Sequence, residues 1–268
     1  MKTQGRATRP PEPEPSYSSA AAIAEPVEDP YIGETIYDIM DDDIRSTTKP
    51  LKGKRKMAID FSKLSTAGAH ATTLNFTKAI EVTAGERINF SKTNPGVTKL
   101  RVEIYWESDS DGDIAAVTLG ADKNATPGGI CFHQQLSIAG INHSGDCRGG
   151  VDGDASIPEE TMTIDLDAVG DLVDSVLIVA GTHPKEGEDQ NKAIPFGRLR
   201  DCRVLIINDA NGYVLYAFEL DEDFSTFTSV ELASFYRKGG DWRYTNMAEG
   251  VGTSVNALVD FQAKYDIK

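Results

Sequence analysis

From Met57 onward the sequence is a succession of short alternating or β-branched runs: TTLNF, RINFS, KLRVEIYW, GICFHQQLSI, TMTIDL, SVLIVAG, RVLIIN and YVLYAFEL. Clusters of Gly, Asp, Asn and Pro cut each run off. Alternation at period two places one face of a strand on a core, and the interrupting residues are those that turns require. Asp209-Ala210-Asn211-Gly212 lies between two such runs and ends in the Asn-Gly pair that favours a hairpin. Helical candidates are few: part of SVELASFYR, and SVNALVDFQAKY, where Val255, Leu258, Val259 and Phe261 share one face. Eight or more short strands with so little helix predict a mainly β fold, a two-sheet β-sandwich with one or two short helices.

The first 56 residues are of another kind. They hold seven of the twelve prolines and nine Lys/Arg against ten Asp/Glu, which leaves −14 of the formal −15 net charge on residues 57–268. Their charges are sorted, acidic from Glu25 to Asp43 and basic from Arg45 to Lys56. Such a segment buries too little apolar surface to offset its ordering entropy, so 1–56 is expected to be an extended arm. Tyr31, Ile32, Ile36, Tyr37, Ile39 and Met40 supply six apolar anchors within ten residues, and they are the expected contacts with a protein partner. The acidic body is a poor match for nucleic acid, whose binding needs basic side chains to displace counterions. No run reaches the length of a membrane-spanning helix, and the N-terminus lacks the apolar core of a secretory signal. Three cysteines, Cys131, Cys147 and Cys202, suit a reducing compartment.

Carboxylates concentrate in two places. Asp109, Asp111 and Asp113 alternate directly after the run ending in Trp106; Asp146, Asp152, Asp154, Glu159 and Glu160 follow within the next fifty residues. Alternating acids repel one another when bare, and a hard cation such as Ca²⁺, which takes six to eight oxygen ligands, resolves that repulsion. The spacing is not that of an EF-hand, since no Glu lies at the twelfth position. Cys131, His133, His143 and Cys147 could supply soft ligands, but their spacing matches no common zinc motif, and they are expected as core and turn residues. No nucleophile elbow, Walker loop or dinucleotide fingerprint occurs, and no enzymatic activity is expected.

Asn89-Phe90-Ser91-Lys92-Thr93-Asn94-Pro95-Gly96, the first of several stretches in order from about Ile88 to Ile267, resembles the opening of the tellurium-resistance TerD family domain. Asp109-x-Asp111-x-Asp113, with LGAD ending at Asp122, resembles the family's DFDLDASAFLLGAD. His143-Ser144-Gly145-Asp146-Cys147-Arg148 resembles HTGDNR, and Phe235 to Tyr244 resembles ELYRHGGEWKF. The resemblance implies a β-sandwich that binds calcium and has no established catalytic activity. It gives Asp109, Asp111, Asp113 and Asp146 as ligands, with Asp152, Asp154 and one of Glu159 or Glu160 where the family has an acidic run. Cys147 replaces an Asn, Ser156-Ile157-Pro158 interrupts that run, and the loop after Trp106 is shortened. These departures bear on whether one, two or no ions are held. MAIDFSK resembles the start of the family domain, so domains are expected at 1–56 and 57–268. Family members occur in bacterial stress clusters and in phage genomes. The expected function is therefore a calcium-binding component of a larger assembly such as a phage particle, docked by its arm; the alternative is a free cytoplasmic resistance protein.

Overall fold

The computed structural model describes residues 74–107, 111–145, 158–184, 187, 189–220 and 224–268, apart from the side chains of Glu107, Asp111 and Arg200. The arm, with Tyr31, Ile32, Ile36, Tyr37, Ile39 and Met40, lies outside the described residues. The chain runs β1 (Ile80–Glu81), β2 (Arg87–Ile88), α1 (Phe90–Thr93), β3 (Lys99–Glu107), β4 (Asp111–Leu119), β5 (Ala125–Cys131), β6 (Ser137–Ile138) and β7 (Ile141–His143). It continues through β8 (Glu160–Asp165), β9 (Ser175–His183), β10 (Arg200–Asn208), β11 (Val214–Glu219), β12 (Ser229–Lys238), β13 (Asp241–Gly252) and α2 (Ala257–Tyr265). One sheet has the order β1-β11-β10-β3-β8-β7-β6, the other β2-β13-β12-β9-β4-β5. The two-sheet sandwich expected from the runs is the fold observed.

Alternation fills the space between the sheets. Leu100, Val102, Ile104 and Trp106 of β3 point inward against Ile114 and Ala116 of β4 and Val176, Ile178 and Ala180 of β9. The opposite faces are covered as well. Leu177 and Val179 of β9 pack with Val117 of β4 under Ala257, Phe261 and Tyr265 of α2. Covering on both faces explains why SVLIVAG reads as a continuous apolar run rather than an alternating one. Tyr105, Leu205, Ile207, Val214 and Ala217 form a third cluster, on the far side of the first sheet, joined by Leu74. There Arg101 reaches Glu103 at 2.7 Å and Asp209 at 2.6 Å, so buried charges are paired. Asp209–Gly212 makes the expected hairpin from β10 to β11, with Gly212 at φ +73, a conformation open to a residue without a Cβ.

Helix α2 begins at Asn256, whose side chain accepts from the Leu258 N–H, and ends at Asp266 in the left-handed region. Its last turn is pinned to the sheet: the Tyr265 hydroxyl donates to the buried Glu231 carboxylate, and Lys264 Nζ lies 2.6 Å from the same group.

Three expectations are corrected. SVELASFYR is not helical but forms β12, paired with β13 and β9. A bulge between Glu231 and Ala233 shifts the phase of the strand, so Val230, Leu232, Ala233 and Phe235 all reach the core at a spacing that imitates a helix. RINFS is strand only through Ile88; Asn89 caps α1 by accepting from the Lys92 N–H. Asp111 and Asp113, expected in a loop, open strand β4 in register with His183 and Gly181 of β9.

Candidate functional site

The two acidic stretches leave from one end of the sandwich. Ile104, near the end of β3, pairs with Glu160 at the start of β8, and its carbonyl accepts from the Glu159 N–H at 2.9 Å. His143 of β7 pairs with Met162, and the Ser144 N–H donates to the Thr161 carbonyl at 3.0 Å. Gly145, Glu159, the end of β3 and the start of β4 are thereby gathered at a single rim. Among the expected ligands, Asp109, Asp146, Asp152 and Asp154 lie outside the described residues, as does the Asp111 side chain. Glu159 and Glu160 are described, and both are buried.

The donor chemistry at this rim suits a hard cation. Two adjacent carboxylates removed from water are costly unless positive charge stands beside them, and Ca²⁺ prefers carboxylate oxygen to any softer ligand. Among the described residues alone, no three His, Cys, Asp or Glu side chains converge at metal-binding spacing. Asp113 is engaged elsewhere. Its Oδ1 is 3.2 Å from His133 Nδ1 and its Oδ2 is 3.0 Å from His183 Nε2. Burial pushes its carboxyl up, but the hydrogen bond from His183 and the charges of His183, His133 and His143 outweigh burial, holding it below the ordinary aspartate value. To reach a cation at the rim, Asp113 would have to release an imidazole.

This histidine pair was not expected from the sequence. The three residues line a cleft of about 120 Å³ together with Gln134, Thr182 and Phe261. His183 ends β9 opposite Asp111, and His133 sits in the turn after β5, so only sheet pairing brings them to Asp113. The Thr182 hydroxyl in the same cleft donates to the Ile194 carbonyl.

Of the soft-ligand residues, Cys131 and His133 face different ways. Cys131 is the last residue of its strand and points into the core, where burial raises its thiol to about 11. His133, past the strand end, faces the cleft, so the two do not share a face. His143 is buried at the rim, and Cys147 lies outside the described residues. Among the described residues, no helix is long and apolar enough to cross a membrane.

With the geometry in hand, comparison with known proteins gives a consistent result. The profile of the TerD domain matches residues 78–261. An uncharacterized protein of Bacillus subtilis (strain 168), YceE, is 30% identical over 190 residues, covering 67% of this chain and 95% of that protein. General stress protein 16U of the same organism is 30% identical over 182 residues, covering 64% of this chain and 90% of that protein. Tellurium resistance protein TerD of an Alcaligenes species is 29% identical over 198 residues, covering 70% of this chain and 98% of that protein.

Proposed function

The chain belongs to the TerD domain family, and from that membership we propose that it acts without catalysis, as a calcium-binding protein of the stress- and tellurium-resistance kind. The observation that carries the reading is that the described residues flanking both acidic stretches meet at one rim, where Glu159 and Glu160 are buried. Asp109, Asp111, Asp146, Asp152, Asp154, Glu159 and Glu160 would hold the ion, with Asp113 joining if it leaves a histidine. Bound calcium would set positive charge among these carboxylates and would tie the start of β4 to the start of β8 across the two sheets. Calorimetric titration tests this. Metal-free protein should take up Ca²⁺ in a defined ratio and Mg²⁺ far more weakly, since Mg²⁺ gives up its water reluctantly. Protein that binds no Ca²⁺, or an Asp111→Asn/Asp146→Asn variant that binds as wild type does, overturns the reading.

A second reading concerns the arm. The family match begins at residue 78, and the relatives are almost fully covered by about two thirds of this chain. The arm lies before that match, and on this reading Tyr31, Ile32, Ile36, Tyr37, Ile39 and Met40 would dock it on a protein partner in a larger particle.

A further inference from the structure

Three strands of the second sheet carry polar groups on its outer face, at the end away from the rim. The register sets Arg243 of β13 opposite Tyr236 of β12, and Thr245 of β13 between Ser234 of β12 and Arg87 of β2. The residues that alternate with them, Phe235, Tyr244 and Ile88, pack into the core, so this group points outward. Arg243, two places along the strand, and Arg87, directly opposite, thereby stand within about 7 Å of Thr245. The patch is distinct from the rim. Tyr236 pairs with Ser175, the first residue of β9, whereas His183, which pairs with Asp111, is the last residue of the same strand.

Two donors here are enclosed without a partner. Thr245 is 5% exposed, and its Oγ1 makes no hydrogen bond. Arg243 is half-buried, its Nε is enclosed and unbonded, and among the described residues its guanidinium makes no ion pair. The acids next in sequence are engaged elsewhere: Asp241 Oδ2 accepts from Asn89 Nδ2 at 3.0 Å, and Glu86 Oε2 accepts from the Thr83 N–H at 3.0 Å. An enclosed guanidinium without counter-charge and an enclosed hydroxyl without a partner are both unfavourable, and an anion between them relieves both. We propose that Arg243 and Thr245 hold a small tetrahedral oxoanion of the phosphate class, with the exposed Arg87 of β2 closing over it. The planar fork of a guanidinium takes two oxygens and the hydroxyl takes a third, which a phosphate has and a carboxylate lacks. The site is independent of the calcium reading.

The test is calorimetric titration of the full chain with inorganic phosphate, in chelator so that calcium takes no part. Wild type should bind one equivalent, and acetate should bind about tenfold more weakly or less, for want of the third oxygen. Arg243→Met should weaken phosphate binding by about ten- to a hundredfold, the range for hydrogen bonds to a charged group. Thr245→Val keeps the shape and the charge and should weaken it by about tenfold. Lys99→Gln removes equal charge from the first sheet and should bind as wild type does. Because it deletes an unpaired charge, Arg243→Met should melt no lower than wild type in phosphate-free buffer, which separates lost binding from lost folding. Wild type that takes up no phosphate, or Thr245→Val that binds as tightly as wild type, overturns the proposal. Acetate bound as tightly as phosphate would make the patch a carboxylate site and also overturns it. So does an equal loss in Lys99→Gln, the mark of attraction to charge alone, or an Arg243→Met variant that melts well below wild type, the mark of a structural arginine.

Discussion

Asp113 is the residue at which local pattern and tertiary structure disagree most. Read along the chain it is the third of three alternating acids; in the fold its carboxylate is held between two imidazoles. Burial and the histidines oppose each other there, and the histidines prevail, so the native carboxyl titrates below the ordinary aspartate value of about 3.9. A depressed native value means that the carboxylate stabilises the fold fully above the ordinary value, and that this contribution is lost as pH falls through the native one. In chelator, Asp113→Asn should therefore be less stable than wild type by about 1.5–3 kcal/mol near pH 5, the range for hydrogen bonds to charged groups. The gap should close as the solution is taken down through the acid range. Urea melts across that range measure it, and a gap that stays constant into strong acid would show that the ion pairs contribute nothing. His133 and His183 could not be assigned to Asp113 from the sequence, because they lie 20 and 70 positions away and are joined to it only by the β4–β9 pairing and the turn after β5.

Among the elements, the apolar runs were legible as strands, whereas β12 and β13 were not. KLRVEIYW, SVLIVAG and RVLIIN are each found within β3, β9 and β10. The bulge in β12 hid a strand behind helical spacing, and β13, a polar run with much of its length half-buried, gave no apolar alternation to read. For the candidate ligands, residue type can be read along the chain, but the side that each strand residue faces is set by register. Helix α2 was visible but its face was not: it lies on the second sheet by Ala257, Phe261 and Tyr265, whereas Val259, expected on that face, is exposed and Val255 precedes the helix. Its seating depends on Gly181 of β9. A Cβ at that position would lie 2.3 Å from Ala257 Cβ, a contact that moves the helix rather than a flexible side chain. Gly181→Ala should cost about 1–3 kcal/mol, as overpacking does, and should speed hydrogen exchange in Ala257–Tyr265 above that of the interior strands. Wild-type exchange in the variant's helix would show that the sheet absorbs the extra atom.

For the whole molecule, the roles proposed for the TerD domain and for the arm are separable. The domain carries its own core and an acidic rim, so protein lacking residues 1–48 should remain folded and respond to calcium as the full chain does. If the arm docks, that truncation alone should leave the protein outside any particle with which the full chain sediments; co-sedimentation of the truncated protein would remove the docking role. Linkage gives the proposed calcium site a direct readout, because an ion that binds only the native state stabilises it by mass action. The deciding measurement is the melting temperature of the full chain in excess chelator, in Ca²⁺ and in Mg²⁺. Calcium should raise it by several degrees, about 2.7 kcal/mol of stabilisation at a hundredfold excess over the dissociation constant. Magnesium should raise it much less, and Asp111→Asn/Asp146→Asn should abolish the difference. Coincident melting curves in chelator and in calcium would contradict the account.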